Sequence, residues 1–144
     1  MAEGPKSNMP ARRKARKRAL DVLFEADMKG ASIQAVLASS LGRIVPPPPA
    51  HLAYAVSLTE GVAAHLGRID ELISSYAEGW TLDRMPAVDR NLARIAVYEL
   101  LYVDDIDDAV AISEAVELAK QMSTDDSPRF LNGVLARIAD YTAH

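Results

Sequence analysis

Alanine and leucine recur at intervals of three and four through nearly the whole of this 144-residue chain, and no segment alternates strictly between apolar and polar residues. That period places apolar side chains along one face of a helix and cannot line one face of a strand. Aromatic residues make up only 6% of the sequence and β-branched runs are short, so strands lack the residue types they favour. The fold class is therefore all-α. A hydrophobic fraction of 49% in a chain of one domain's length suffices for a compact bundle of six to seven helices.

Glycine and proline divide the bundle. A first helix is expected over about residues 11–29, ended by Gly30, after a mobile tail over residues 1–10. A short helix over residues 32–40, with Ser32 as its cap, leads into a polyproline spacer at residues 46–49. One long helical stretch is expected over residues 50–78, with Gly61 and Gly67 as weak points or close-packing sites. Gly79, Trp80 and Thr81 break it, and Pro86 opens a helix that puts Val88, Leu92, Ile95, Ala96 and Glu99 on one face. Two more helices follow, over residues 109–122 and from Ser127 onward. Residues 11–144 read as a single helical domain.

Charge is segregated along this frame. Residues 1–18 carry seven Lys or Arg against one Glu, a net +6, while the remainder carries nine basic and nineteen acidic side chains, a net −10. A basic arm on an acidic body is the asymmetry of a chain that turns one end towards a polyanion. On a helical wheel Arg13, Lys14, Lys17 and Arg18 point away from the apolar stripe, and Arg12 and Arg16 lie on its border. Phe24 falls on the basic side, where a ring can stack on an unpaired base while the cations hold phosphates. Cations at a helix N-terminus oppose the helix dipole, so the first turns are expected to fray until an anion binds. Six phosphates held on a single strand would give a salt slope of about −4.

Other chemistry finds little support. With no cysteine there is no disulfide framework, thiolate zinc site or cysteine nucleophile. His51 and His65, fourteen residues apart, would stand about 21 Å apart on one helix and could not share a metal. No phosphate loop, serine elbow or histidine metal motif occurs. The acidic pairs at 104/105, 107/108 and 125/126 lack the spacing of a calcium loop and read as helix caps. No apolar run is long enough to span a membrane and no secretory signal is present, so a non-enzymatic, cytoplasmic protein without cofactor or catalytic residues is expected.

Three segments together resemble the NusB family of bacterial transcription antitermination factors: residues 11–24 (ARRKARKRALDVLF), 89–100 (DRNLARIAVYEL) and 111–135 (AISEAVELAKQMSTDDSPRFLNGVL), and the run over residues 79–84 (GWTLDR) is similar to actinobacterial members in particular. The resemblance implies two packed helical subbundles. It also implies binding of single-stranded boxA RNA in ribosomal RNA leader transcripts jointly with NusE, and assembly with RNA polymerase and other Nus factors. Carried over by position, the RNA-binding residues are Arg12, Arg13, Lys14, Arg16, Phe24, Asp89, Asp126 and Phe130; Lys17 joins them from its place on the wheel, and with Arg18 it makes the arm more basic than in some members. Phe24 stands where some members have tyrosine, which removes a phenolic hydrogen bond and keeps the stacking face. A second reading is a homodimerising helical module whose basic arm is masked.

Overall fold

In a computed structural model, backbone is described for residues 4–143 and side chains for residues 11–143. Of the expected tail, residues 1–3 lie outside the described residues, as does His144, and residues 4–10 contribute backbone to the first helix. Seven α-helices are described: α1 (Gly4–Lys29), α2 (Ile33–Gly42), α3 (Leu52–Ala64), α4 (Leu66–Tyr76), α5 (Ala87–Tyr102), α6 (Asp108–Met122) and α7 (Ser127–Thr142), with a 3-10 turn at Leu82–Arg84. There is no strand among the described residues.

The ends follow local chemistry. Gly30 stops α1 at φ +63°, a left-handed conformation that a residue without Cβ adopts freely. Ser32 caps α2, its hydroxyl accepting from the Ala35 amide at 3.0 Å. The long stretch expected over residues 50–78 is two helices, because the chain turns at His65 rather than at either glycine. Gly61 instead serves close packing: a Cβ there would lie 2.1 Å from Cζ of Tyr98, so the Tyr98 ring of α5 packs directly on the α3 backbone and would have to move for any larger residue.

α1, α2 and α3 pack on one another, and α4, α5, α6 and α7 form a second group. The groups join where α1 and α3 lie on α5, giving the two subbundles expected from the family resemblance. One large core runs through both, with Leu20, Leu23, Leu58, Ile73, Leu118 and Leu135 among its fully buried side chains. A smaller apolar cluster of Val22, Ala26, Val36 and Leu37 seats α2 against α1. Burial on this scale outweighs local helix preferences, so α1 is held chiefly by what its inner face touches.

Candidate nucleic-acid interface

The periodicity of α1 sorts the arm's cations into two sets that do different things. The inner set is Arg12, Arg13 and Arg16. Arg16 is 3% exposed, its Nε donating to both carboxylate oxygens of Glu99 at 3.1 Å and its Nη1 to Glu114 at 3.2 Å. Its Nη2 lies 2.9 Å from Glu99 Oε2 but is not aligned for a hydrogen bond. Arg13 grips the same Glu114 with two parallel bonds, Nε at 3.0 Å and Nη2 at 2.6 Å. Arg12 pairs with Asp105 at 2.9 Å and lies over the Tyr54 ring, 4.6 Å from its centroid. The Tyr54 hydroxyl donates to Glu99, and burial followed by that carboxylate pushes the phenol's pKa up.

Three cations thus meet three carboxylates from the C-terminal end of α5, the following turn and α6. Because α1 begins at Gly4, these arginines stand beyond its first two turns rather than at the N-terminus where they were expected to fray it, and the repulsion among them is neutralised within the chain. Unpaired, Glu99 and Glu114 would be costly anions in the core. The hydrogen bond from Arg13, against the opposing effect of burial and aided by the charges of Arg13 and Arg16, holds the Glu114 carboxyl below the usual carboxylate range.

The outer set is Lys14, Lys17 and Arg18. Lys14 and Lys17 are exposed, and neither has an ion-pair partner among the described residues. Arg18 donates from Nε to His51 Nε2 at 3.2 Å. Phe24, seven residues after Lys17, lies two turns further along the same face and is 38% exposed. Asp21 interrupts the face between them, its carboxyl pushed up by burial against the lowering effect of Arg18 and Lys17.

The remaining expected residues gather at the opposite end of α5. Asp89 is 2% exposed and accepts from Ser123 Oγ at 2.5 Å. Ser127 donates to Ser123 at 3.0 Å, which leaves Thr124 as donor in its 2.7 Å contact with Ser127. This hydroxyl chain anchors the turn before α7, where Asp126 is exposed and Phe130 is half-buried beside the 46%-exposed Trp80, ring centroids 6.1 Å apart. The acidic pairs do not act as expected from capping: neither Asp107 nor Asp126 makes a side-chain cap hydrogen bond, and Asp105 is engaged by Arg12. Asp107 and Asp126 stand at the N-cap positions of α6 and α7 without bonding the helix amides through their side chains.

Sequence reasoning missed the partners of the arm: Glu99, Glu114, Asp105 and Tyr54. A signal for Glu99 existed, since a carboxylate in the apolar stripe of a helix must meet a buried cation. The sequence marks Trp80 as part of a helix break and of the 79–84 run, with no local signal that its ring lies beside Phe130. Among the described residues no group of three His, Asp or Glu side chains could hold a metal ion, and no helix is long and apolar enough to cross a membrane.

The chain and its fold have counterparts among known proteins. The NusB family profile matches residues 13–140. The chain belongs to the NusB family. The transcription antitermination protein NusB of Salinispora tropica is 79% identical over 133 residues, covering 92% of this chain and 98% of that protein. The structure is similar to NusB of T. maritima, at 36% identity and a TM-score of 0.80 with 90% of each chain covered. It is also similar to a chain in the crystal structure of antitermination factors NusB and NusE in complex with dsRNA, at 27% identity and a TM-score of 0.78, covering 94% of this chain and 99% of that one. The NusB match begins at Arg13, so it includes five of the arm's seven cations and the acids Glu99, Asp105 and Glu114.

Proposed function

We propose that this NusB-family chain is an RNA-binding transcription antitermination factor. With NusE it binds single-stranded boxA RNA of ribosomal RNA leader transcripts, and the complex joins RNA polymerase and other Nus factors to resist termination. It acts in the cytoplasm by binding rather than by turnover. The observation that carries this reading is the open face of α1, where Lys14, Lys17 and Phe24 stand together, the two lysines with no ion-pair partner among the described residues. Phosphates are neutralised by the lysines and a base stacks on the ring.

The buried members of the expected set have a supporting part. Arg16 orients α1 from within, and Asp89 holds the turn that presents Asp126 and Phe130; neither touches RNA. Arg12 and Arg13, half-exposed and already paired, contribute less than their number suggests. Counting Lys14, Lys17, Arg18 and one of the paired arginines, about four phosphates are engaged, and log K falls against log salt with a slope of about −3. Masking of the inner arginines requires no second copy, because the chain's own Glu99, Glu114 and Asp105 already pair with them.

The test compares boxA with a scrambled oligonucleotide, with and without NusE, over a salt series. Preference for boxA that grows with NusE, on a slope of about −3, is expected. A slope near zero removes α1 from the RNA site, and equal affinity for both oligonucleotides in the presence of NusE refutes sequence recognition.

A further inference from the structure

The outer cations of α1 do not end at the helix surface. Lys14, Lys17 and Arg18 form one wall of an open groove of about 400 Å³, whose other wall carries Arg43 from the end of α2 and His51 from the start of α3. Two acids also line it, Asp21 and Glu25, the latter bonded to Lys29 at 2.8 Å and near enough to Arg43 to feel its charge, so the four cations outnumber them. Arg43 bonds only to the neutral Ser39 hydroxyl, at 3.0 Å, and Arg18 only to the His51 imidazole. Among the residues lining the groove only Val22 is apolar, so packing does not account for five basic groups converging here, and the inner half of the same helix shows that the chain supplies acids where it needs cations neutralised.

We propose that this groove is a phosphate subsite, in which Arg18, Arg43 and His51 hold a backbone phosphate of an RNA strand that runs past Lys14 and Lys17. The inference rests on the RNA-binding function proposed above and adds Arg43, His51 and a second surface, the α2–α3 side, to it. In the free protein His51 Nε2 accepts from Arg18, so the imidazole is neutral with its proton on Nδ1. Burial, then the charges of Arg18 and Lys14, holds its pKa below the ordinary histidine value. A phosphate reverses the balance. It takes over Arg18 as donor, frees Nε2 to accept a proton from solvent, and the imidazolium then donates to the phosphate. Binding therefore takes up a proton and tightens as the pH falls. The groups facing His51 in this exchange are Lys14, Lys17, Arg18, Asp21 and Glu25 from α1, with Ser40 and Arg43 from α2 and the turn after it.

The experiment follows the His51 imidazole by NMR through a pH titration of the full chain, with and without single-stranded RNA carrying boxA and flanking sequence on both sides. The same RNA is titrated over salt with the wild type and with the double variant Arg18→Gln, Arg43→Gln. The expected result is a His51 pKa that rises on RNA binding. The double variant, with an unchanged melting midpoint, loses about 0.7 from the salt slope for each phosphate given up. RNA that binds while His51 does not move and the double variant keeps the wild-type slope overturns the subsite and leaves the proposed function standing. RNA that fails to bind with or without NusE overturns both.

Discussion

Replacing Glu99 by Gln changes one oxygen for one amide nitrogen and leaves side-chain volume intact, yet it removes the charge that balances Arg16. Both partners are nearly sealed from water, Glu99 at 1% and Arg16 at 3% side-chain exposure. Removing one member of a buried pair costs about 3–5 kcal/mol because the other charge is left uncompensated. Here Arg16 keeps Glu114 at 3.2 Å and the new amide oxygen still accepts, so about 1–2 kcal/mol is recovered and the net loss is about 2–3 kcal/mol. With a urea dependence of about 2 kcal/mol per molar, the unfolding midpoint followed by far-UV circular dichroism falls by about 1–1.5 M at unchanged slope. The loss persists in high salt, since buried pairs are screened little. Lys17→Gln, one residue from Arg16 but on the open face, changes stability by less than about 0.5 kcal/mol and instead weakens RNA binding. A Glu99→Gln protein as stable as the wild type, or a deficit that vanishes in salt, would show that Arg16 is hydrated and that the inner half of the arm is not a structural unit.

Three further outcomes follow from the same geometry. Because Glu114 is held below its unperturbed value of 4.5, it adds stability above that pH and loses it as the pH falls through the depressed folded value. Urea midpoints of Glu114→Gln and wild type, well apart at pH 7, therefore converge in acid, and a constant gap down to pH 3 contradicts the assignment. Gly61→Ala places a methyl group 2.1 Å from Tyr98 Cζ; overpacking of about 1–3 kcal/mol exceeds the gain of about 1 kcal/mol in helix propensity, so thermal stability drops. A variant as stable as the wild type means that Tyr98 swings aside freely. Phe24→Ala leaves folding nearly unchanged and costs about 1–3 kcal/mol of boxA affinity, less for a scrambled RNA; equal losses for the two refute a base-stacking role.

How far the sequence could be read depended on whether a feature was local. Helix spacing, the stop at Gly30, the cap at Ser32 and the break around Gly79–Thr81 each rest on a few neighbouring residues, and the structure has all of them. The wheel of α1 also put Phe24 outside the apolar stripe, where it is found. What the wheel could not supply was depth. It placed Arg12 and Arg16 together on the stripe's border, yet Arg16 is buried and Arg12 is not, because only Arg16 faces the seam between α5 and α6.

That seam explains why the division of the arm was hidden. The acids that neutralise Arg12, Arg13 and Arg16 come from positions 83 to 101 residues later in the chain, and a charge count over residues 1–18 cannot see them. One element of the pattern was nevertheless in view. Glu99 shares its helix face with Leu92, Ile95 and Ala96, all buried, and Glu114 shares one with Ala111, Ala115 and Leu118. A carboxylate in such a stripe either carries a proton or meets a cation, and only the arm offers cations in excess. Two buried carboxylates thus call for buried partners from among the arm's arginines. What is left over faces outward, and those residual cations, rather than the full +6, are the charge that a polyanion meets.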